Sequence, residues 1–164
     1  MKALETINNK IVNRDQLKWI LNRWKLKDEQ VVFTNGCFDL LHKGHIDYLA
    51  KASDLGSKLI VGVNTDSSVK RLGKGENRPI QDEKSRAIIM ASLHFVSLVV
   101  LFDEATPLSL IELTKPHVLV KGSDYNIENI VGHEVVLKHG GEVKTIDFLD
   151  GFSTTKIIEK ARKN

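Results

Sequence analysis

An α/β domain, doubly wound around a parallel five-stranded sheet and preceded by an N-terminal helix, is the fold this sequence predicts. Three observations predict it. Five short runs rich in Val, Ile and Leu recur along the chain and read as buried strands. Stretches with helical spacing of apolar residues lie between them, the arrangement that a parallel sheet covered on both faces requires. The 164 residues suit one domain with a sizeable core.

The elements follow in order. Asn13 is placed to cap a helix over 14–24, with Leu17, Ile20, Leu21 and Trp24 on one face. Residues 1–28 are expected to form a helical extension packed on a domain of residues 29–164, because two tryptophans ask for burial; a homodimer contact is the other use for such a face. Residues 31–34 (Val-Val-Phe-Thr) read as the first strand and 44–55 as a helix with Ile46, Leu49 and Ala50 at helical spacing. Residues 59–63 read as the second strand. A glycine-rich loop falls at 73–77. A second strong helix covers 82–93, with Ala87, Ile88, Ala91 and Ser92 available to one face. Strands at 97–101, 118–120 and 143–146 alternate with helices at 107–113 and 133–138, and a helix over 155–161 closes the chain. In such sheets ligands bind beyond the carboxyl ends of the strands.

Composition narrows the function class. Hydrophobic residues at 41% and charged residues at 27% are ordinary for a globular protein. A surplus of +3 and only 6% aromatics give little footing for nucleic acid. Cys37 is the one cysteine, so no intrachain disulfide forms, as expected in a reducing cytoplasm. Residues 1–15 lack the apolar stretch of a signal peptide, and the run 96–102 is too short to cross a bilayer.

The chemistry concentrates in residues 34–45, Thr34-Asn35-Gly36-Cys37-Phe38-Asp39-Leu40-Leu41-His42-Lys43-Gly44-His45, between the first strand and the first long helix. A helix start offers unpaired N–H groups and a positive dipole end, which suits phosphate. Asn35-Gly36 lets the backbone turn sharply. His42 and His45 flank Gly44 at a spacing that can aim two imidazoles at one anion. A metal pair is the competing reading, but no nearby cysteine or glutamate completes a set. A second candidate is Gly151-Phe152-Ser153-Thr154-Thr155 before the last helix, where hydroxyls and amides can hold phosphates; alone it would be an ordinary cap.

Together these segments resemble the His-x-Gly-His and Ser-Thr-Thr signatures of the cytidylyltransferase-like nucleotidyltransferase superfamily. The resemblance runs from about Val12 to Ala161. Lys121-Gly122-Ser123-Asp124-Tyr125, Gly140-Gly141-Glu142-Val143 and Asp150-Gly151 look like the heptose 1-phosphate adenylyltransferase branch, with Ser123 standing where a second glycine is expected. The resemblance implies a Rossmann-like fold of the His-x-Gly-His nucleotidyltransferase type. It implies transfer of AMP from ATP to heptose 1-phosphate, giving ADP-heptose for the lipopolysaccharide core, with Mg²⁺ arriving on ATP rather than in a protein cage.

His42 and His45 are then the catalytic candidates. Thr34, Asn35, Gly36, Cys37, Phe38, Gly44, Lys121, Gly122, Ser123, Asp124, Ser153, Thr154 and Thr155 are candidates for holding the nucleotide. The loop read over residues 70–78 carries four cations against one anion, and it follows the second strand. Arg71, Lys74 and Arg78, with Asp39, Asp66 and Arg86, are therefore candidates for the sugar phosphate; a solvated face is the plain alternative. ATP is expected over CTP because Phe148 stands three residues before Gly151, where the cytidylyltransferase branch carries arginine. The competing functions are a glycerol-3-phosphate or ethanolamine-phosphate cytidylyltransferase and a non-catalytic nucleotide- or RNA-binding module. Intact His42, Gly44 and His45 argue against the module. No membrane partner is expected.

Overall fold

A computed structural model describes residues 2–73, 77–123 and 125–163. Five parallel strands, β1 (Val31–Gly36), β2 (Lys58–Asn64), β3 (Leu98–Phe102), β4 (Val118–Gly122) and β5 (Glu142–Ile146), lie in the order β3-β2-β1-β4-β5. The order reverses between β1 and β4, so a crevice opens beyond their carboxyl ends.

Strand periodicity divides the core between the two faces. Val32, Leu59, Val61, Val63, Val99, Val118 and Val120 point to one face. There they meet Tyr48, Leu49 and Ala52 of α3 (Lys43–Ser53) and Ala87, Met90 and Ala91 of α5 (Glu83–Ser92). Val31, Phe33, Ile60, Leu98, Val100 and Leu119 point to the other. That face is covered by Leu17 of α2 (Arg14–Lys25), Leu110 and Ile111 of α6 (Leu108–Thr114) and Val136 of α7 (His133–Lys138). Asn13 and Gln16 form a reciprocal capping box that fixes where α2 starts. Ahead of it, α1 (Ala3–Asn8) leads to a bridge between Ile11 and Val99, which ties the N-terminal residues to β3. α4 (Asp66–Arg71) and α8 (Thr154–Arg162) flank the carboxyl edge of the sheet.

The doubly wound parallel sheet is as the sequence predicts; three local features differ. Residues 66–71 are helical: Thr65 caps them, and Ser68 and Val69 are buried beneath, so Lys70 and Arg71 end a helix instead of starting a loop. Trp19 is 60% exposed, and the Arg23 guanidinium lies 4.6 Å from its ring centroid. Stacking under a cation takes the place of burial there. On α5 the inward face is Arg86, Ala87, Met90 and Ala91, while Ile88 is exposed. Among the described residues no helix is long and apolar enough to cross a membrane.

Candidate active site

The turn after β1 is built around Phe38, which adopts φ 46°, the left-handed region that a bulky residue seldom enters. That conformation folds its ring back over Gly36, where any Cβ would stand 3.1 Å from the ring. The same ring meets His45 edge-on, with centroids 5.4 Å apart. The strained turn therefore sets one wall of a histidine pocket.

His42 caps α3: its Nδ1 accepts from the His45 backbone N–H at 3.3 Å. The two imidazoles stack, 3.8 Å between centroids and 18° between planes. Gly44 is required between them, since a Cβ there would lie 3.1 Å from His42 Nδ1 and from the Phe152 Cβ. Its bareness seats the histidine ring and Phe152. Burial lowers the His42 pKa, so the ring is neutral at pH 7.

Asp39, nearly fully buried, latches a second segment onto this turn. Its Oδ1 accepts from the Ile80 and Gln81 backbone N–H groups at 2.8 and 3.0 Å, and the Gln81 amide returns a bond to Asp39 O at 2.9 Å. Arg78 Nε lies 2.5 Å from Asp39 Oδ2, close enough for an ion pair although not aligned as a hydrogen bond. The latch delivers Arg78 into the same cavity as His45.

Two cavities result at the carboxyl edge. One, of about 250 Å³, is lined by Phe38, Asp39, His45, Tyr48, Arg78, Gly122, Phe148 and Thr154. The other, of about 210 Å³, lies on the β2 side and is lined by Asn64, Leu72, Thr106, Pro107, Asn129 and Val131, among others. Asn35, Gly36, Cys37, Lys121 and Tyr125 line both. Phe148 approaches Tyr48 at 5.6 Å between centroids. The first cavity thus offers cations, imidazole and a hydroxyl beside aromatic faces; the second offers amides and hydroxyls. A group of three or more metal-binding side chains is absent among the described residues.

Several candidates sit elsewhere. Arg86 is fully buried and spends its donors inside the protein: Nε on Gln81 O at 3.0 Å, Nη1 on Cys37 O at 2.6 Å and Nη2 on Asp66 Oδ1 at 2.8 Å. It pins three segments together, and neither it nor Asp66 lines either cavity. Thr34 is equally buried and bonds the Tyr48 hydroxyl at 2.8 Å, so it steadies a cavity wall from behind. Arg71 pairs with Asp103, whose pKa is pulled down to about 2 by hydroxyls of Ser67 and Thr65 and then by Arg71 itself. Ser153 caps α8, accepting from Lys156 N–H at 3.2 Å, and lines neither cavity, while Thr154 faces one; Thr155 and Ser123 are exposed outside both cavities. Lys74 and Asp124 lie outside the described residues. Sequence reasoning missed Tyr48, Tyr125, Asn64, Thr106 and Asn129. Asn64 carried a usable signal, a polar residue ending a buried strand.

Comparison with known proteins gives the family. The profile of the cytidylyltransferase-like family matches residues 33–160. This chain belongs to the cytidylyltransferase-like family. It is a nucleotidyltransferase of that family. It is 56% identical over 153 residues to the bifunctional protein HldE of Citrifermentans bemidjiense and 54% identical over 151 residues to that of Geobacter metallireducens. These matches cover 93% and 92% of the chain but 31% of each relative, so the chain spans about a third of their length. A lipopolysaccharide core biosynthesis protein from Thermoplasma volcanium superposes with a TM-score of 0.60 at 31% identity, over 74% of this chain and 97% of that one. A pantoate-β-alanine ligase from Francisella tularensis shares the fold at a TM-score of 0.63 and 18% identity, over 93% and 76% of the two chains.

Proposed function

We propose that this nucleotidyltransferase moves the AMP group of ATP onto heptose 1-phosphate, forming ADP-heptose and releasing pyrophosphate. The observation that carries the reading is the pair of cavities sharing one wall at the crossover of β1 and β4. The larger gathers His45, Arg78 and Thr154 for a triphosphate and lays Phe148 and Tyr48 beside a purine. The smaller gathers amides and hydroxyls for a sugar. The resemblance to heptose 1-phosphate adenylyltransferases and the likeness to HldE and to a lipopolysaccharide core biosynthesis protein support the same sugar class.

The reaction asks little proton chemistry of the protein. A phosphate monoester has a second pKa of about 6 and is already mostly dianionic at neutral pH. One of its oxygens bonds to the α-phosphorus while the bond from that phosphorus to the bridging oxygen breaks, and the electron pair leaves on pyrophosphate. The enzyme's task is to position the two anions and to stabilise charge. His45, Arg78 and Thr154 supply donors on the leaving-group side, with the His42 ring stacked on His45, and Mg²⁺ enters as part of the substrate Mg·ATP.

The test is a pyrophosphate-release screen of sugar 1-phosphates, glycerol 3-phosphate and ethanolamine phosphate against ATP and CTP, with product masses. The expected result is the highest kcat/KM for ATP with heptose 1-phosphate. A higher kcat/KM with CTP, or with a non-sugar acceptor, overturns the reading.

A further inference from the structure

Asn35, Gly36, Cys37, Lys121 and Tyr125 form the wall between the two cavities, and Lys121 is the one cation among them. It stands at the carboxyl end of β4, directly across the crossover from β1. Its ammonium Nζ donates to Asn35 Oδ1 at 2.5 Å, lies 3.5 Å from Asn35 O, and sits 5.8 Å from the Tyr125 ring centroid. The side chain is thus steered along the wall by groups of β1 and of the turn after β4.

In-line transfer puts the attacking and leaving oxygens on opposite sides of the α-phosphorus. With β- and γ-phosphates beside His45 and Thr154 and the sugar phosphate on the other side, the α-phosphorus sits at the wall. Two anions must approach each other there, and a compact ammonium with three donors can touch an oxygen of each at once. We infer that Lys121 is a catalytic residue that bridges the attacking sugar phosphate and the α-phosphate. This inference rests on the adenylyl-transfer reading above. It also assigns the acceptor requirement: the ammonium selects a phosphate as the attacking group over a neutral hydroxyl.

The test uses Lys121→Met, which keeps the length of the stem and removes the charge, in the full chain. Steady-state pyrophosphate release gives kcat and the KM of the sugar phosphate; calorimetry with a non-hydrolysable α,β-methylene ATP gives nucleotide affinity. Loss of one preorganised charge-stabilising donor costs about 10²–10³-fold, expected here in kcat/KM for the sugar phosphate, while nucleotide affinity stays within about threefold. If thermal melting shows the Met variant unfolded, Lys121→Gln is read in its place. A variant within about threefold of wild type in kcat/KM, or one whose whole defect is nucleotide affinity at unchanged kcat, overturns the role. Wild-type protein that releases no pyrophosphate with any sugar phosphate overturns the functional reading itself. An active wild type with an unaffected variant overturns only the role of Lys121.

Discussion

Arg86→Met should lower stability steeply while leaving the side chains that line the two cavities chemically unchanged. Methionine fills much of the same volume, so the loss is polar. Arg86 is 0% exposed and donates to two main-chain carbonyls, Cys37 O and Gln81 O, and to Asp66. Breaking a buried ion pair by removing one partner costs roughly 3–5 kcal/mol. The side chain of Asp66 is 33% exposed, so water can take up part of what it loses. The lower end, about 3 kcal/mol, is therefore the better figure. For a chain of this size each kcal/mol moves Tm by about 2–4 °C, which gives a fall of about 6–12 °C in a calorimetric melt. Arg78→Met is the contrast. Arg78 lines a cavity, so its loss should raise the apparent KM for ATP; it also takes the cation from the Asp39 carboxylate, whose side chain is 1% exposed, so Tm should fall as well. A fall below about 3 °C for Arg86→Met would refute the claim that Arg86 pins the turn, the 66–71 helix and the segment before α5 together.

His42→Ala and His45→Ala should each slow turnover about 10²–10³-fold in folded protein, measured as kcat by pyrophosphate release; a loss under about threefold would remove them from the catalytic set. Cys37→Ser should retain activity, because the thiol is buried beside Asn64 at 3.8 Å and lines the cavities as a small side chain. Complete loss with fold and nucleotide binding intact would assign the thiol a chemical role.

What was legible in the sequence follows a physical rule. The strands announced themselves because both faces of a parallel sheet are buried, so 31–34 and 59–63 are nearly unbroken apolar runs. The two signature segments were legible because each opens a helix at the carboxyl edge of the sheet. The helix 66–71 was not, since Asp-Ser-Ser-Val-Lys-Arg has one apolar residue to set a period. Arg86 was misread for a deeper reason. A cation is expected at the surface unless paired. Its partners come from the turn after β1, from α4 and from the segment before α5, and no local pattern gathers residues 37, 66, 81 and 86. Asp39 was expected to hold the sugar phosphate; it lines a cavity, and its task as the anchor of residues 78–81 depends on two segments meeting in space.

The stacked histidines carry a dependence on pH whose sign the geometry fixes. His42 Nδ1 accepts from the His45 N–H, so the neutral ring carries its proton on Nε2. Burial holds its pKa below the ordinary value of 6.5 in the folded protein. The unfolded chain therefore binds the proton more readily. The folded state keeps the full contribution of this group above pH 6.5 and loses it as pH falls from 6.5 toward the lowered value. Protonation would also remove the acceptor that caps α3. A bound triphosphate reverses the preference, because negative charge beside the ring favours the imidazolium. Binding of an ATP analogue near pH 6.5 should then take up a proton, read by calorimetry in buffers of different ionisation enthalpy. His42→Asn preserves a cap acceptor and cannot titrate. Between pH 7.5 and 5.5 the wild type should lose Tm relative to that variant, and the variant should show less proton uptake. Parallel Tm profiles with identical proton uptake would mean that His42 does not titrate between the two states, and the role proposed for it at the phosphates would lose its electrostatic basis.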